Sequence, residues 1–396
     1  MDAMQQVNPH FYDNTLHILP TFLRVEEEIE SLLDQSENGV IFGRKIVTFP
    51  QLFELIYEEI PAAQIVLSLP GQRVLIERIL DTLYSTKPQG YFTPLIKSKS
   101  LSKTLLNIVN SLKSNNISYK EFSGLVKGCI SGNNNKLVEV AGVYRHYQMS
   151  LAENGLVDGN DLNWAVKDFV SDHKNEISFL KGLHHLIIED IYDFTPVQFD
   201  LIVALAQRIE HTTVIIPYDH DRSDIFGFVE RTIKKFESLW ELNRDINLEF
   251  KSQRGDPQAV VSKIAQRYLE KSSQDTHEPL GISDEVTLIE SAGIYRETEA
   301  IGKEIRKLLD SGVQPGRVGV LFEDLSLYSE MIEDVFRRFK IPLYFRRGRP
   351  LLSTSVAKTI LSFFELLDTN FERNVFLKIV GSNYVDCWKG KHPLVR

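Results

Sequence analysis

The chain has 396 residues, 43% hydrophobic and 25% charged, with a formal net charge of −9 at pH 7, which predicts two or three globular domains with substantial cores. Its two cysteines, Cys129 and Cys387, lie far apart, which argues against a disulfide framework, a zinc ribbon or an iron–sulfur cluster. No apolar run reaches 18 residues and the first residues are polar, so we expect no membrane partner, no signal peptide and a cytoplasmic location.

The first elements alternate between strand and helix. The apolar pattern predicts a strand over Leu16–Leu19, followed by a turn at Pro20 and Thr21. A helix is predicted over Leu23–Leu33, with a run of glutamates near its start. Residues 39–48 predict a second strand region that leads into another helix.

From about residue 60 to residue 150 the pattern is helical throughout, without the alternation typical of strands. This stretch predicts an all-helical insertion. Its helices are expected over Val74–Leu83, Leu101–Leu112, Tyr119–Val126 and Leu137–Ala152, with a surface loop over residues 131–136.

The sheet resumes in the most informative segment of the chain, residues 184–206. An apolar run, Leu186–Ile188, predicts a buried strand that ends abruptly in Glu189 and Asp190. A strand that delivers two acids at its carboxyl end is how P-loop NTPases hold magnesium and polarise the attacking water. A further strand over residues 212–216, one helix later, predicts a βαβ unit and a parallel sheet.

The loop after these acids leads into an amphipathic helix that begins near Gln198. Asp193 and Thr195 are both candidates to cap that helix, because short polar side chains can accept from its first backbone N–H groups.

A second α/β unit follows a polar stretch, residues 251–284, that contains one predicted helix over 259–270. The unit is expected to contain strands over 286–290, 318–322 and 343–345, and helices over 297–309, 328–339 and 356–380.

Several segments together resemble a known family. Glu189, Asp190, Asp193 and Gln198 fit the DExQDTxxxQ-type motif of UvrD/Rep-type DNA helicases, with the first two acids in swapped order. Segments LHILPTFLRVEEEIESLL, IVTFPQL, YRHYQMSLAENGLVDGNDL and residues 294–351 follow in matching order and spacing. The chain thus resembles the front part of the AddB/RexB subunits of bacterial helicase–nucleases.

The resemblance implies an α/β fold of P-loop-NTPase-like (RecA-like) parallel-sheet domains with an all-helical insertion. The first RecA-like domain would comprise residues 1–60 and 155–250, and the helical insertion residues 61–154. The second RecA-like domain would comprise residues 280–355, and residues 356–396 would begin a truncated helical insertion. Single-stranded DNA would lie between the two α/β halves.

The sequence also departs from the family pattern. A helicase needs a GxGKT or GxxxxGK[ST] phosphate cradle, yet residues 1–15 contain neither Gly nor Lys. Losing that cradle removes several charge-assisted bonds of roughly 1.5–3 kcal/mol each. The strand over 212–216 leads into PYDHDRSDIFGF without the γ-phosphate-sensing Gln, and the arginine-finger motifs and the nuclease domain would lie beyond residue 396. We therefore expect no cofactor; ATP and magnesium belong only to an alternative.

The candidate site residues follow from the motifs and the resemblance. The acids Glu189, Asp190 and Asp193 with Gln198 are interpreted as a relic rather than a live magnesium site, and Arg254 lies where helicases carry a γ-phosphate-reading arginine. We expect no metal site, because the cluster after residue 218 has the character of a polar loop. Nucleic-acid contact is predicted for Thr21, Thr48, Phe49, Arg346, Arg347 and Arg349, since basic residues track phosphates and interleaved aromatics stack on bases.

Three functional hypotheses follow. The first is a degenerate helicase-like DNA-binding or scaffold protein without ATP hydrolysis, with a helicase–nuclease subunit as partner and single-stranded or duplex-end DNA as ligand. The second is part of an ATP-dependent DNA helicase or exonuclease whose missing motifs come from a partner or from absent sequence. The third is a protein interaction module without DNA affinity.

Overall fold

The computed structural model describes residues 14–36, 45–61, 63–86, 90–96, 98–128, 135–218, 223–242, 286–344 and 351–385. The chain divides into two compact units, Met1–Lys271 and Ser272–Arg396.

The first unit contains all the strands of the described residues. They are β1 (Thr15–Ile18), β2 (Ile46–Val47), β3 (Ile65–Val66), β4 (Leu156–Val157), β5 (His185–Glu189) and β6 (His211–Ile215). Its helices are α1 (Phe22–Gln35), α2 (Phe49–Tyr57), α3 (Leu69–Thr86), α4 (Lys99–Ser114), α5 (Tyr119–Gly128), α6 (Asn135–Glu153), α7 (Gly159–Ser171), α8 (Pro196–Ala206) and α9 (Ser223–Leu242).

Four strands form one parallel sheet in the order β2-β1-β5-β6. His17 of β1 lies opposite Ile46 of β2 and Ile187 of β5, so strands distant in sequence become neighbours. The expected parallel sheet of an α/β protein is thus confirmed. A RecA-like fold in particular stays an expectation.

Successive side chains of a strand point to opposite faces of the sheet, and apolar side chains occur on both faces here. Helices therefore cover both faces of this sheet. On one face, Leu16, Ile18 and Ile188 belong to a core with residues of α2, α7 and α8. On the other face, Leu19 packs with Val25 and other apolar residues of α1. Burial on both faces explains the run of three apolar residues, Leu186–Ile188, in the middle of β5.

The helical insertion has a core of its own, formed by α3, α4 and α6. One expectation for this stretch was wrong. Residues 60–150 are not free of strands, because β3 pairs in parallel with β4, with Ile65 opposite Leu156. A strand of two residues carries no alternation that a sequence pattern could detect.

The second unit is helical in the residues described. Its helices are α10 (Ile294–Asp310), α11 (Leu325–Arg338), α12 (Ser355–Asp368) and α13 (Arg373–Val380). A core of Ile305, Ile332, Val335, Phe336 and Ile341 joins α10 to α11.

Two strands expected in this second unit are absent there. Residues 286–290 and 318–322 are in no strand among the described residues, and Leu288 and Leu321 are 93% and 98% exposed. An apolar run forms a strand only when a partner supplies the hydrogen bonds. Leu343 and Tyr344 of the third expected strand are not in a strand either, and residue 345 lies outside the described residues.

Residues 356–380, which the sequence predicts to be helical, form two helices, α12 and α13. Asn370 and Phe371 adopt left-handed backbone conformations, with φ of 52° and 65°, and end α12 before α13 begins. Asparagine tolerates this conformation better than most residues, whereas phenylalanine does so only at a cost.

Part of the sequence expectations falls outside the described residues: 39–44, 131–134 and the helix over 259–270. Across the residues that are described, no helix combines the length and the apolarity that crossing a bilayer requires.

Candidate functional site at the carboxyl edge of the parallel sheet

The four parallel strands end at one edge of the sheet, where ligands bind in open α/β folds. Thr21 follows β1, Thr48 follows β2, and the motif acids Glu189 and Asp190 end or follow β5. The topology therefore brings together residues that lie up to about 170 positions apart in sequence.

Glu189 is bound by a histidine beneath the edge of the sheet. The Nε2 atom of His17 lies 3.1 Å from Oε2 of Glu189, and the His17 side chain is fully buried. The two side chains share a face because His17 pairs with Ile187, two residues before Glu189. The hydrogen bond with His17 lowers the pKa of Glu189, and the charge of Arg24 acts in the same direction against the opposing effect of burial.

Asp190 faces an arginine from the first turn of α1. Its carboxylate Oδ2 lies 3.6 Å from Nη2 of Arg24, whose Nη1 donates to Glu27 at 3.1 Å. Burial opposes the guanidinium charge, but the bond to Glu27 and the charge of Asp190 outweigh it and raise the pKa of Arg24. Asp190 has a left-handed φ of 58°, and its backbone N–H donates to the Ile215 carbonyl of β6 at 3.1 Å.

The connection from β1 to α1 contains only Leu19, Pro20 and Thr21. A P-loop cradle needs glycines whose backbone N–H groups surround the phosphates, and a lysine that reaches them. These three residues include neither glycine nor lysine.

Gln198, the glutamine of the helicase-like motif, caps α8 in this structure. Its side-chain oxygen accepts from the Thr195 backbone N–H at 3.0 Å, and Thr195 Oγ1 accepts from the Gln198 backbone at 3.3 Å. This reciprocal pair is a capping box. Of the two expected cap candidates, Thr195 is the cap, and Asp193 is an exposed residue of the preceding loop.

Three residues predicted to contact DNA hold structural positions. Thr21 caps α1 by accepting from the Arg24 backbone at 3.3 Å, and Thr48 caps α2 in a capping box. Phe49 is only 4% exposed, and its ring packs edge-on against Phe194 with a centroid separation of 6.0 Å. Their contact with DNA stays a prediction, one that the burial of Phe49 does not support.

The remaining predicted residues cannot be placed. Those that lie outside the described residues are Arg254, Arg346, Arg347 and Arg349. No group of three or more metal-ligating side chains occurs among the residues that the structure describes.

Residues 5–270 match the family model described as "ADDB, N-terminal". The chain belongs to this AddB N-terminal family. Similar proteins are named as one subunit of an ATP-dependent helicase/deoxyribonuclease. That of Ruminiclostridium cellulolyticum is 23% identical over 76% of this chain, and that of Staphylococcus carnosus is 21% identical over 93%. The chain spans 27% and 31% of the lengths of these two relatives.

The sequence interpretation of this AddB-family chain missed His17 and Arg24, the two residues that engage the acids. Two signals could have found them. A histidine interrupts the apolar strand LHIL, and an arginine occupies the first turn of a helix, where the helix dipole disfavours a cation. His17 contacts the carboxylate of Glu189 and Arg24 that of Asp190, both at the end of β5 and roughly 170 residues later in the chain. These contacts explain both unusual residues.

Proposed function

We propose that this chain is part of a helicase-like, DNA-binding subunit that does not itself hydrolyse ATP. It would resemble the non-motor subunit of an ATP-dependent helicase–nuclease of DNA recombination or repair. One observation carries the absence of hydrolysis: both acids at the end of β5 are engaged by side chains of the chain itself, His17 and Arg24.

This arrangement disfavours magnesium at the edge of the sheet. Magnesium needs carboxylate oxygens together with several waters in a near-octahedral shell. Here one oxygen of Glu189 is hydrogen-bonded to buried His17, and Asp190 already faces a cation, Arg24. A metal ion would have to displace the guanidinium or be repelled by it. The short connection after β1 offers no cradle to compensate.

DNA binding is supported by family membership and by the basic sequence of residues 337–350. The relatives are named for a helicase/deoxyribonuclease of which they form one subunit, and this supports a partner chain that would supply the motor. In the sequence RRFKIPLYFRRGRP, basic residues alternate with aromatic ones, a combination suited to phosphates and stacked bases.

An ATPase assay with single-stranded DNA tests the absence of hydrolysis. We expect no turnover above background from the purified chain, with or without magnesium. Turnover that Glu189→Gln abolishes would overturn the proposal and favour the enzyme alternative, because that variant removes only the acid that would polarise water.

Fluorescence anisotropy with labelled single-stranded DNA tests binding. We expect affinity that falls steeply with salt and drops about tenfold or more in the variant Arg346→Glu/Arg347→Glu, because phosphate contacts release counterions. The matched control, Lys174→Glu/Lys181→Glu, makes the same charge change at exposed positions of the sheet domain. Equal losses in both variants would indicate a nonspecific charge effect. No affinity in the unaltered chain would favour the interaction module.

A further inference from the structure

The segment YRHYQMSLAENGLVDGNDL carries part of the family resemblance, yet none of its residues lies at the edge that holds Glu189. It spans the end of α6, β4 and the start of α7, where the chain leaves the helical insertion and re-enters the sheet domain. In the structure this segment surrounds a fully buried lysine, Lys113 of α4.

The lysine makes three short polar contacts. Its Nζ lies 2.7 Å from Asp158, 2.6 Å from Asp161 and 2.9 Å from the side-chain oxygen of Gln148. The rings of Tyr147 and Trp164 lie 5.7 and 5.4 Å from the same atom, within the range of cation–π attraction.

Both aspartates that contact Lys113 are held in place by further hydrogen bonds. Asp158 caps α7 by accepting from two backbone N–H groups at 2.9 Å, and its other oxygen also accepts from Tyr147 Oη at 3.1 Å. Gln148 donates to Asp161 at 3.0 Å. Burial and the charge of Asp158 raise the pKa of Tyr147, so its phenol stays protonated and remains a donor.

The contacts connect two separate hydrophobic cores. Lys113 belongs to α4 and Tyr147 to α6, whose apolar faces form the core of the insertion. Asp158 and Asp161 open α7, whose residues Leu162 and Val166 belong to the core under the sheet. The β3–β4 pair lies next to these contacts, because β4 ends at Val157, directly before Asp158. The Leu67 backbone N–H after β3 donates to the Val157 carbonyl at 2.7 Å.

We infer that Lys113, Asp158 and Asp161 form a charged joint that holds the helical insertion in one orientation relative to the sheet domain. A buried cation between two carboxylates permits few alternatives, because any rotation of α4 away from α7 would separate unlike charges away from water. In this chain the buried charges would fix one relative orientation of α4 and α7, where apolar packing alone would accept several. The inference is independent of DNA binding and of ATP hydrolysis.

Electron–electron distance measurements between two spin labels test this joint. Both native cysteines are replaced by serine, and labels are placed at exposed positions through Lys127→Cys in the insertion and Gln207→Cys in the sheet domain. We expect one narrow distance distribution in the unaltered background and a distribution roughly twofold broader in Lys113→Met, as the insertion gains freedom.

Two controls and a second variant of the joint make the result specific. A label pair within the sheet domain, Glu58→Cys with Gln207→Cys, should keep its width in Lys113→Met. The exposed substitution Lys136→Met should leave both pairs unchanged. Asp158→Asn keeps a cap acceptor for α7 and removes one charge of the joint, so it should also broaden the distribution between the insertion and the sheet domain.

A distribution as narrow in folded Lys113→Met as in the background overturns the inference. If Lys113→Met does not fold, Asp158→Asn decides the matter by the same measurement, and an unchanged width there also overturns the inference. Broadening in both label pairs would mean general loosening of the fold, which likewise contradicts a joint.

Discussion

Two pairs of acids in this chain share a sequence context and differ in surroundings. Glu189 and Asp190 end β5 shortly before α8, and Asp158 follows β4 and opens α7 with Asp161. In each pair at least one acid faces a cationic side chain from an earlier helix, and Glu189 in addition contacts His17 of β1. At the joint that side chain is Lys113, fully buried, whereas at the edge of the sheet it is Arg24, with 42% of its side chain exposed.

The difference shows that burial, rather than residue type, decides what a charge pair does. A pair in contact with water is screened and contributes little to the stability of the fold. A buried pair cannot lose one partner without leaving an uncompensated charge, so it fixes geometry. We therefore expect the buried charges of the joint to contribute more to the stability of the fold than the pair of Arg24 with Asp190.

The largest effect should come from Lys113. Lys113→Met leaves Asp158 and Asp161 without their cation, which should lower the free energy of unfolding by about 3–5 kcal/mol. Urea denaturation measures it. Lys136→Met should cost less than about 0.5 kcal/mol, and adding Asp158→Asn to Lys113→Met should recover part of the loss. A cost for Lys113→Met no larger than that of the control would remove the distinction between the two acid pairs.

Glu189→Gln should have the next largest effect, roughly 1–2 kcal/mol at neutral pH, because it weakens the charged bond to His17. Since the pKa of Glu189 is lowered from 4.5 in the folded chain, its carboxylate stabilises the fold above about pH 4.5, and that contribution is lost as the pH falls through the folded-state pKa. The difference between the unaltered chain and the variant should therefore shrink in urea titrations below pH 4.5.

A matched control exists for the cost of Glu189→Gln. Glu210 also lies 3.1 Å from a histidine, His184, but both side chains are more than half exposed. Glu210→Gln should therefore cost less than about 0.5 kcal/mol at neutral pH. A difference between the unaltered chain and Glu189→Gln that grows toward acid pH would contradict our account of Glu189.

Thr195→Ala should cost about 1 kcal/mol, because α8 loses the hydroxyl of its capping box. Thr195→Ser keeps the hydroxyl and should cost little. Denaturation of both variants tests whether the motif residue Gln198 is part of a cap. If Gln198→Ala leaves stability unchanged, the motif glutamine has no capping role.

The smallest effect should come from Arg24. Arg24→Ala removes an exposed pair with Asp190 and should cost less than about 0.5 kcal/mol, and high salt should reduce that cost further. Denaturation at low and high salt measures both. If Arg24→Ala lowered the free energy of unfolding by more than about 2 kcal/mol, Arg24 would stabilise the fold as strongly as a buried ion pair. The contrast between the two pairs of acids would then be wrong.

Much of the fold was predictable where segments were long or strongly apolar. The expected strand over Leu16–Leu19 is observed as Thr15–Ile18, and the helices of the insertion agree to within a turn or so with those expected. The unpaired segments at 286–290 and 318–322 were not predictable as such, because the sequence shows apolarity and not the presence of a partner strand.

The candidate site was predicted only in part. The apolar run before Glu189 and Asp190 indicated that these acids end a strand of a parallel sheet. That signal lies within a few neighbouring residues, so the sequence displays it directly. Their partners His17 and Arg24, and the burial of Lys113, come from elements far apart in the chain, so no local pattern encodes them.

The sequence alone determined the long helices, the strands β1, β5 and β6, the family and the acids at the end of β5, because hydrophobic period and capping act over a few residues. Only the tertiary structure decided which charge is opposite which, and how much water reaches each. Both depend on strand order and helix packing between distant parts of the chain, and the strength of a charge pair depends on the distances and the solvation that result.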